Sequence, residues 1–152
     1  MCSSDLDHLG GFALFVADGK LRHTYSFVGV KEFRQESESQ LPTGSVNVRM
    51  EFAADAPKPA TGGQVTLFVN DEVGGGRMEF TVPVRFTGYA GMDIGRDNGM
   101  PVDRSYADKS PFAFTGTVRK VVFDVNPHLT DEQEQELDDH AHWAHTAHAI
   151  TA

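Results

Sequence analysis

The side chains best suited to hold a ligand lie in one loop, MDIGRDNGMPVDRSY. Its oxygen-bearing acids and amide are Asp93, Asp97, Asn98 and Asp103. Two glycines in the loop permit sharp turns, and such turns let carboxylate and amide oxygens converge on a hard cation such as calcium. The alternative is that these side chains accept hydrogen bonds from their own loop and hold the turn. We favour the alternative because local Asp and Asn turns are the commoner use of these residues.

The same loop ends at Tyr106, and Tyr89 precedes it. Sites for small molecules combine apolar or aromatic faces with a few convergent polar groups. We therefore take four residues as candidate ligand-binding residues: Asp93, Asp97, Asn98 and Tyr106. One interpretation of this pattern is a stand-alone, lectin-like module that binds carbohydrate. The only Trp of the chain, Trp143, lies far from the loop, which weakens that interpretation.

A second cluster of potential ligands is the histidine-rich stretch HAHWAHTAH near the C-terminus. His142, His145 and His148 are three residues apart, so they would lie near one face of a helix and could share a metal ion. No cysteine or carboxylate stands at a defined spacing to complete the ligand set. A solvated, amphipathic tail is the stronger interpretation.

Motifs for catalysis are missing from the sequence. It contains no G-x-S-x-G, no P-loop and no H-E-x-x-H, and its only cysteine, Cys2, stands in no activating pattern. We therefore assign no catalytic residue to this chain.

The segments that position these residues are predicted to be β-strands. Two apolar-rich runs, Phe12–Val16 and Leu21–Phe27, flank Asp18-Gly19, a pair that favours a two-residue hairpin turn. Further strands are predicted for SVNVRMEF, QVTLFVN and MEFTVPVRF, with DEVGGGR as a turn. The run from Phe112 to Val125 predicts one or two more strands, broken near Gly116.

Short strands with Gly-rich turns and no intervening helix predict an all-β fold, an antiparallel β-sandwich of jelly-roll type. After Pro127 the chain is rich in Glu, Gln, Ala and Leu, and Thr130 with Gln133 fits a capping box. We therefore predict a C-terminal α-helix. The predicted organisation is a leader at 1–9, a sandwich domain at 10–126 and a helical tail at 127–152.

The net charge of −9 is concentrated near the C-terminus. Seven acids and no Lys or Arg lie between Asp124 and Asp139, so the rest of the chain is nearly neutral. A nucleic-acid-binding protein needs a basic patch to contact phosphates, and no stretch supplies one. No apolar run is long enough to span a membrane. We expect neither nucleic acid nor a membrane as a partner.

Five segments in order carry a resemblance to a known family: GGFALFVADGKLRHTYSFVG, LPTGSVNVRMEF, GGQVTLFVND with VGGGRMEFTVPVRF, MDIGRDNGMPV and FTGTVRKVVFDV. Together they resemble the C-terminal domain of bacterial arylsulfatases, the formylglycine-dependent sulfatase family. The match runs from about Gly10 to Val125. The first hairpin is also similar to laminin-G-like and concanavalin-like jelly rolls.

The resemblance implies that sulfate-ester hydrolysis belongs to a larger N-terminal domain, which is the expected partner of this chain. In the family that domain carries formylglycine, made from a Cys in a C-x-[PA]-x-R motif, beside a calcium ion. Cys2 stands in CSSDL and does not match the motif. We therefore expect the chain alone to be inactive and its acidic loop to be structural.

The first six residues, MCSSDL, form a short polar segment. Their codons can be written GTG TGC TCT TCC GAT CT, which looks like the end of a short-read sequencing adapter. We therefore expect native sequence to begin near Asp7, with the leader non-native or disordered and the catalytic half absent from this chain. The alternative is a genuine short gene.

Overall fold

The computed structural model describes residues 2–5, 10–58, 60–81, 91–98, 101–109 and 111–124, with the backbone alone at 2–5 and 91. The described elements are antiparallel strands and one short 3₁₀ helix, so the predicted all-β class is confirmed. By internal contacts the chain divides into two units, Met1–Val121 and Val122–Ala152. All the elements below lie in the first unit.

The predicted hairpin is confirmed as β2 (Gly10–Ala17) and β3 (Lys20–Phe27), which pair in antiparallel register. Asp18 and Gly19 both have positive φ, 51° and 76°, as a two-residue type I′ turn requires. A three-residue turn, Val28–Val30, with positive φ at Val28 and Gly29, leads into β4 (Lys31–Glu36). These three strands form a continuous meander.

The backbone at Cys2–Asp5 forms a further strand, β1, although we predicted a non-native or disordered leader there. It pairs with Gly11–Leu14 of β2 on one side and with a later strand, Gly91–Ile94, on the other. The strands form a five-stranded antiparallel sheet in the order β4, β3, β2, β1, Gly91–Ile94. The non-native origin of the first six residues stays a prediction.

Three strands form a separate antiparallel sheet: β5 (Val48–Ala54), β6 (Gly63–Val69) and β7 (Glu72–Met78). The prediction of a turn at DEVGGGR was wrong, because the turn is only Asn70-Asp71 and β7 runs through the three glycines. A Cβ on Gly74 would lie 3.2 Å from the Glu36 carbonyl oxygen. Glycine therefore allows β7 to approach the backbone that leaves β4.

The last elements are short. Gly91–Ile94 is β8, Arg96–Asp97 is β9, and Phe112–Ala113 is β10, which pairs with β9. A 3₁₀ helix at Arg104–Lys109 connects β9 to β10. Of the one or two strands predicted across Phe112–Val125, only Phe112–Ala113 is a strand, and the prediction was wrong for residues 114–124, which contain none. Of MEFTVPVRF, only Met78 lies in a described strand.

Side-chain alternation gives the meander two different faces. On one face a hydrophobic cluster combines residues of β3 and β4 with residues of β6 and β7: Leu21, Tyr25, Phe33, Val65, Leu67, Val69 and Met78. On the other face a second cluster contains Ala13, Phe15, Val102 and Tyr106. Neighbouring residues on a strand point to opposite sides, so β2 contributes Phe12 and Leu14 to the first cluster and Ala13 and Phe15 to the second.

The predicted C-terminal helix and residues 126–152 lie outside the described residues. The three-part domain division and the jelly-roll topology stay predictions.

Candidate functional site

The loop that the sequence singles out lies on the second cluster. It contains β9, the 3₁₀ helix and the residues between them, and it covers Ala13 and Phe15 of β2. Among the described residues, four buried apolar side chains form this cluster, so the apolar burial they provide is small. Polar side chains of the loop therefore have to help fix it on the sheet.

Asp103 is the best connected of these polar residues. It is 1% exposed, and its carboxylate accepts hydrogen bonds from the Thr24 hydroxyl, from the Ser105 backbone N–H at 2.7 Å and from the Arg34 guanidinium at 3.0 Å. Thr24 lies on β3 and Arg34 on β4, so one carboxylate fastens the start of the 3₁₀ helix to two strands. The Ser105 bond also closes a local Asp turn.

Burial raises the pKa of Asp103, but the hydrogen bonds from Thr24, Ser105 and Arg34 outweigh it and hold the pKa below its usual value. The charged form of Asp103 therefore stabilises the folded state. The Arg34 side chain is 52% exposed and also contacts Glu32. The Arg34–Asp103 ion pair therefore lies at the border between the core and solvent.

Tyr106 and Asp97 form a second polar anchor inside the same cluster. The Tyr106 hydroxyl donates to Asp97 Oδ2 at 2.9 Å, and both residues are almost fully buried. The Tyr106 ring stacks on Phe112 at 4.5 Å between centroids and meets Phe15 edge-on at 4.9 Å. Burial raises the pKa of the Tyr106 phenol, and the nearby Asp97 carboxylate adds to the rise, so the hydroxyl remains a donor.

The acidic loop does not bring its carboxylates to one point. Asp93 accepts from the backbone N–H of Asn98 at 2.8 Å and from the Asn98 side-chain amide at 3.1 Å. Asp97 is bonded to Tyr106, and Asp103 to the strands. Within the described residues, no three His, Cys, Asp or Glu side chains are grouped to hold a metal ion. The hydrogen bonds are those expected if the loop residues hold the turn.

Beside the second cluster lies an open groove of about 340 Å³. One wall is the end of β2, Val16 and Ala17, and the opposite wall runs along Phe112–Thr115. Tyr106 and Lys109 of the 3₁₀ helix close a third side. The volume lies within the range of about 300–1,000 Å³ that is usual for ligand sites. Sequence analysis missed this groove because its walls are nearly one hundred residues apart in the chain.

The two cations that line the groove, Arg22 and Lys109, differ in their ion pairs. The hydrogen bond to Glu36 raises the pKa of Arg22, and Arg22 also forms an ion pair with Asp18 at 3.0 Å. Lys109 is exposed and makes no ion pair with any residue that the structure describes. The groove therefore has one cation without an ion pair to a described residue, Lys109, and a lining of mixed polarity that includes Asp18, Ser105 and Thr115 beside apolar residues.

His142, His145 and His148 lie outside the described residues, as does Tyr89. Tyr106 is 2% exposed, so its ring has no open face on which a sugar could stack. Among the described residues, no helix is long and apolar enough to cross a bilayer.

Comparisons with known proteins return no match: no family model, no curated protein and no solved structure is similar to this chain at a significant level.

Proposed function

We propose that this chain is the C-terminal accessory domain of an arylsulfatase, an antiparallel sandwich of jelly-roll type with a C-terminal helix. The parent enzyme would hydrolyse sulfate esters in its N-terminal domain. That domain would contain the formylglycine residue and would bind the calcium ion. This chain would pack against that domain and would have no activity of its own. The proposal begins from the five ordered segments that resemble the family.

Exposed apolar side chains are the structural observation that supports the proposal. Val30 is 82% exposed at the end of a turn, and Ile94 is 51% exposed on β8. Single exposed apolar residues are ordinary, but a domain that docks on a larger partner has a reason to keep several. Met92, two residues from Ile94 on the same strand, is 49% exposed.

The position of β8 strengthens this argument. It is the last strand of the five-stranded sheet, and no described strand pairs with its outer edge. Met92 and Ile94 are in register with Phe12 and Leu14 through β1, and they share a face with the first hydrophobic cluster. An apolar sheet edge of this kind promotes association unless it is covered.

The carbohydrate-binding alternative has less support. It needs exposed aromatic faces beside the acidic loop, and Tyr106 is buried with its hydroxyl bonded to Asp97.

Binding to a sulfatase catalytic domain tests the proposal. The probe is a bacterial arylsulfatase catalytic domain produced without its own C-terminal domain, mixed with the intact chain and analysed by light scattering. We expect a one-to-one complex that Ile94→Asp weakens, while Val73→Asp, on the other sheet, serves as the matched control. The chain alone should not hydrolyse para-nitrophenyl sulfate. Turnover by the isolated chain, or a complex that Ile94→Asp weakens no more than Val73→Asp does, would contradict the proposal.

A further inference from the structure

The turn between β3 and β4 has a strained backbone. Val28 has a φ of 43° and Gly29 a φ of 71°, and the Val30 N–H donates to the Phe27 carbonyl oxygen at 2.8 Å. Glycine adopts the left-handed region freely, but a β-branched residue rarely does. Val28 therefore raises the free energy of the folded chain in this conformation.

Other turns of the chain show which residues adopt this conformation at lower cost. In the described part of the chain, three further residues other than glycine have positive φ: Asp18, Ala60 and Asn70. Asp and Asn tolerate the left-handed region because their short polar side chains form local hydrogen bonds, and alanine is small. Of these four residues, Val28 has the side chain least suited to its backbone.

The side chains of the same turn are apolar and exposed. Val28 is 41% exposed, and Val30 is 82% exposed, the highest value among the large hydrophobic residues that the structure describes. Val30 gains almost nothing from burial within the chain, and Val28 gains only part of what a core valine gains. The turn is therefore costly in the isolated chain, and strain of this kind is typical of functional sites.

Contacts within the chain hold the turn in place and compensate the charges beside it. Arg104 of the 3₁₀ helix donates to the Gly29 carbonyl oxygen at 3.0 Å and pairs with Glu32 at 3.5 Å. Lys31, the next residue after the turn, pairs with Glu79. The turn is thus an apolar projection of little net charge. Such a projection fits an apolar depression on a partner, because a group that is already fixed loses little entropy on binding.

We propose that the turn Val28–Val30 contacts the catalytic domain, where Val28 and Val30 insert into an apolar depression. This inference rests on the proposed function and adds a second contact to the one at β8. Two observations support it: the left-handed backbone of Val28 and the exposure of Val30. The ion pairs of Lys31 and Arg104 favour an apolar partner surface over an acidic one.

Calorimetric titration of the intact chain with a bacterial arylsulfatase catalytic domain, produced without its own C-terminal domain, tests the inference. Val28→Asn should raise the melting temperature of the chain by a few degrees, because asparagine tolerates the left-handed region, and it should weaken the complex. Ala60→Asn, at a φ of 62° in the loop between β5 and β6, is the matched control. It should also stabilise the chain, but it should leave the affinity unchanged.

A substitution beside the strained residue separates the contact from the strain. Val30→Ser removes the exposed apolar side chain, and its effect on the melting temperature should be small because that side chain is not buried in the chain. The complex should weaken about tenfold, the effect of withdrawing one buried valine. Val73→Ser, at an exposed valine on β7, is the matched control and should not weaken it.

A Val28→Asn variant less stable than the unsubstituted chain would overturn the inference, because the turn would then not be strained. A complex that Val30→Ser weakens no more than Val73→Ser does would also overturn it. The proposed function would still stand in that case if Ile94→Asp weakens the complex. If no complex forms, the proposed function fails and this contact fails with it.

Discussion

The two faces of the β2–β4 meander are held by different forces. Counted over the residues that the structure describes, the first cluster buries seven apolar side chains between β3, β4, β6 and β7 on one face. On the other face the second cluster buries four, and two buried carboxylates, Asp97 and Asp103, connect the loop to the rest. Burial of an apolar side chain contributes about 1.5–3 kcal/mol, so apolar burial is the larger contribution on the first face, beside the buried His23–Gln35 hydrogen bond. The second depends on hydrogen bonds whose loss leaves buried charge unpaired.

This difference shows why the acidic loop resembles a binding site in the sequence. Asp and Asn residues between strands are typical of cation loops and of loops that must be fixed over a small core, and only the partners distinguish the two. Here the partners are Thr24, Arg34, Tyr106 and Asn98.

The largest expected effect is on the first face. Leu67 is fully buried in β6, so Leu67→Ala should lower the free energy of unfolding by about 3 kcal/mol, through lost burial and a new cavity. Val73→Ala, at an exposed position on the neighbouring strand, is the control and should change it by less than about 0.5 kcal/mol. Urea denaturation followed by circular dichroism measures both. Similar small losses for the two variants would mean that the sheets do not share this cluster.

Loss of the Asp103 charge should have the next largest effect. Asp103→Asn turns one acceptor into a donor that faces the donors of Thr24, Arg34 and Ser105, and we expect a loss of about 2 kcal/mol. Asp18→Asn is the matched control, because the Asp18 ion pair with Arg22 is exposed and should contribute less than about 1 kcal/mol. Equal effects in thermal denaturation would contradict the anchoring role.

The first face should also respond to acid. His23 is buried beside Gln35, and burial lowers its pKa, although the hydrogen bond to Gln35 partly opposes this. In the unfolded chain His23 binds a proton near pH 6.5, whereas in the folded chain it does so only at lower pH. Stability should therefore fall as the pH falls below about 6.5, by at most about 1.4 kcal/mol per pH unit.

The variant His23→Gln isolates that contribution, because the other histidines titrate in both proteins. The slope of unfolding free energy against pH between about 5 and 7 should be shallower in the variant. Equal slopes would show that His23 is solvated in the folded protein.

The smallest expected effect concerns the second polar anchor. Tyr106→Phe keeps the ring contacts with Phe15 and Phe112 and removes the donor to Asp97, so a loss of about 1 kcal/mol is expected. Phe112→Leu, which removes the stacked ring and keeps the hydroxyl, gives the complementary measurement. If the Tyr106→Phe variant is as stable as the unsubstituted chain, the hydrogen bond makes no net contribution to the free energy of unfolding.

Local patterns in the sequence predicted the fold where one segment determines its own geometry. Asp18-Gly19 gave the correct hairpin, because positive φ at both residues selects that turn. The glycines of β7 were assigned to a turn, yet Gly74 is explained by the approach of β7 to Glu36 and Gly75 by its positive φ and its contact with Val65, both set by segments distant in the chain. The exposed Val118, Val122 and Phe123 gave a false strand signal, because apolar alternation cannot show whether a partner is present.

The candidate site was predicted only in part for the same reason. The sequence singled out the loop and its acids, but it did not identify their hydrogen-bond partners. Asp103 bonds to Thr24 and Arg34, which are 79 and 69 residues away, and no spacing rule connects them. The groove between Val16 and Phe112 likewise forms only when the chain folds.

The measurement that tests the proposed function most directly is a long read of the native DNA upstream of the Asp7 codon. If this chain is the accessory domain of an arylsulfatase, the reading frame continues upstream of Asp7 into a sulfatase domain with a C-x-[PA]-x-R motif. A stop codon followed by a ribosome-binding site directly before MCSSDL would contradict that account and would make the chain a complete small protein.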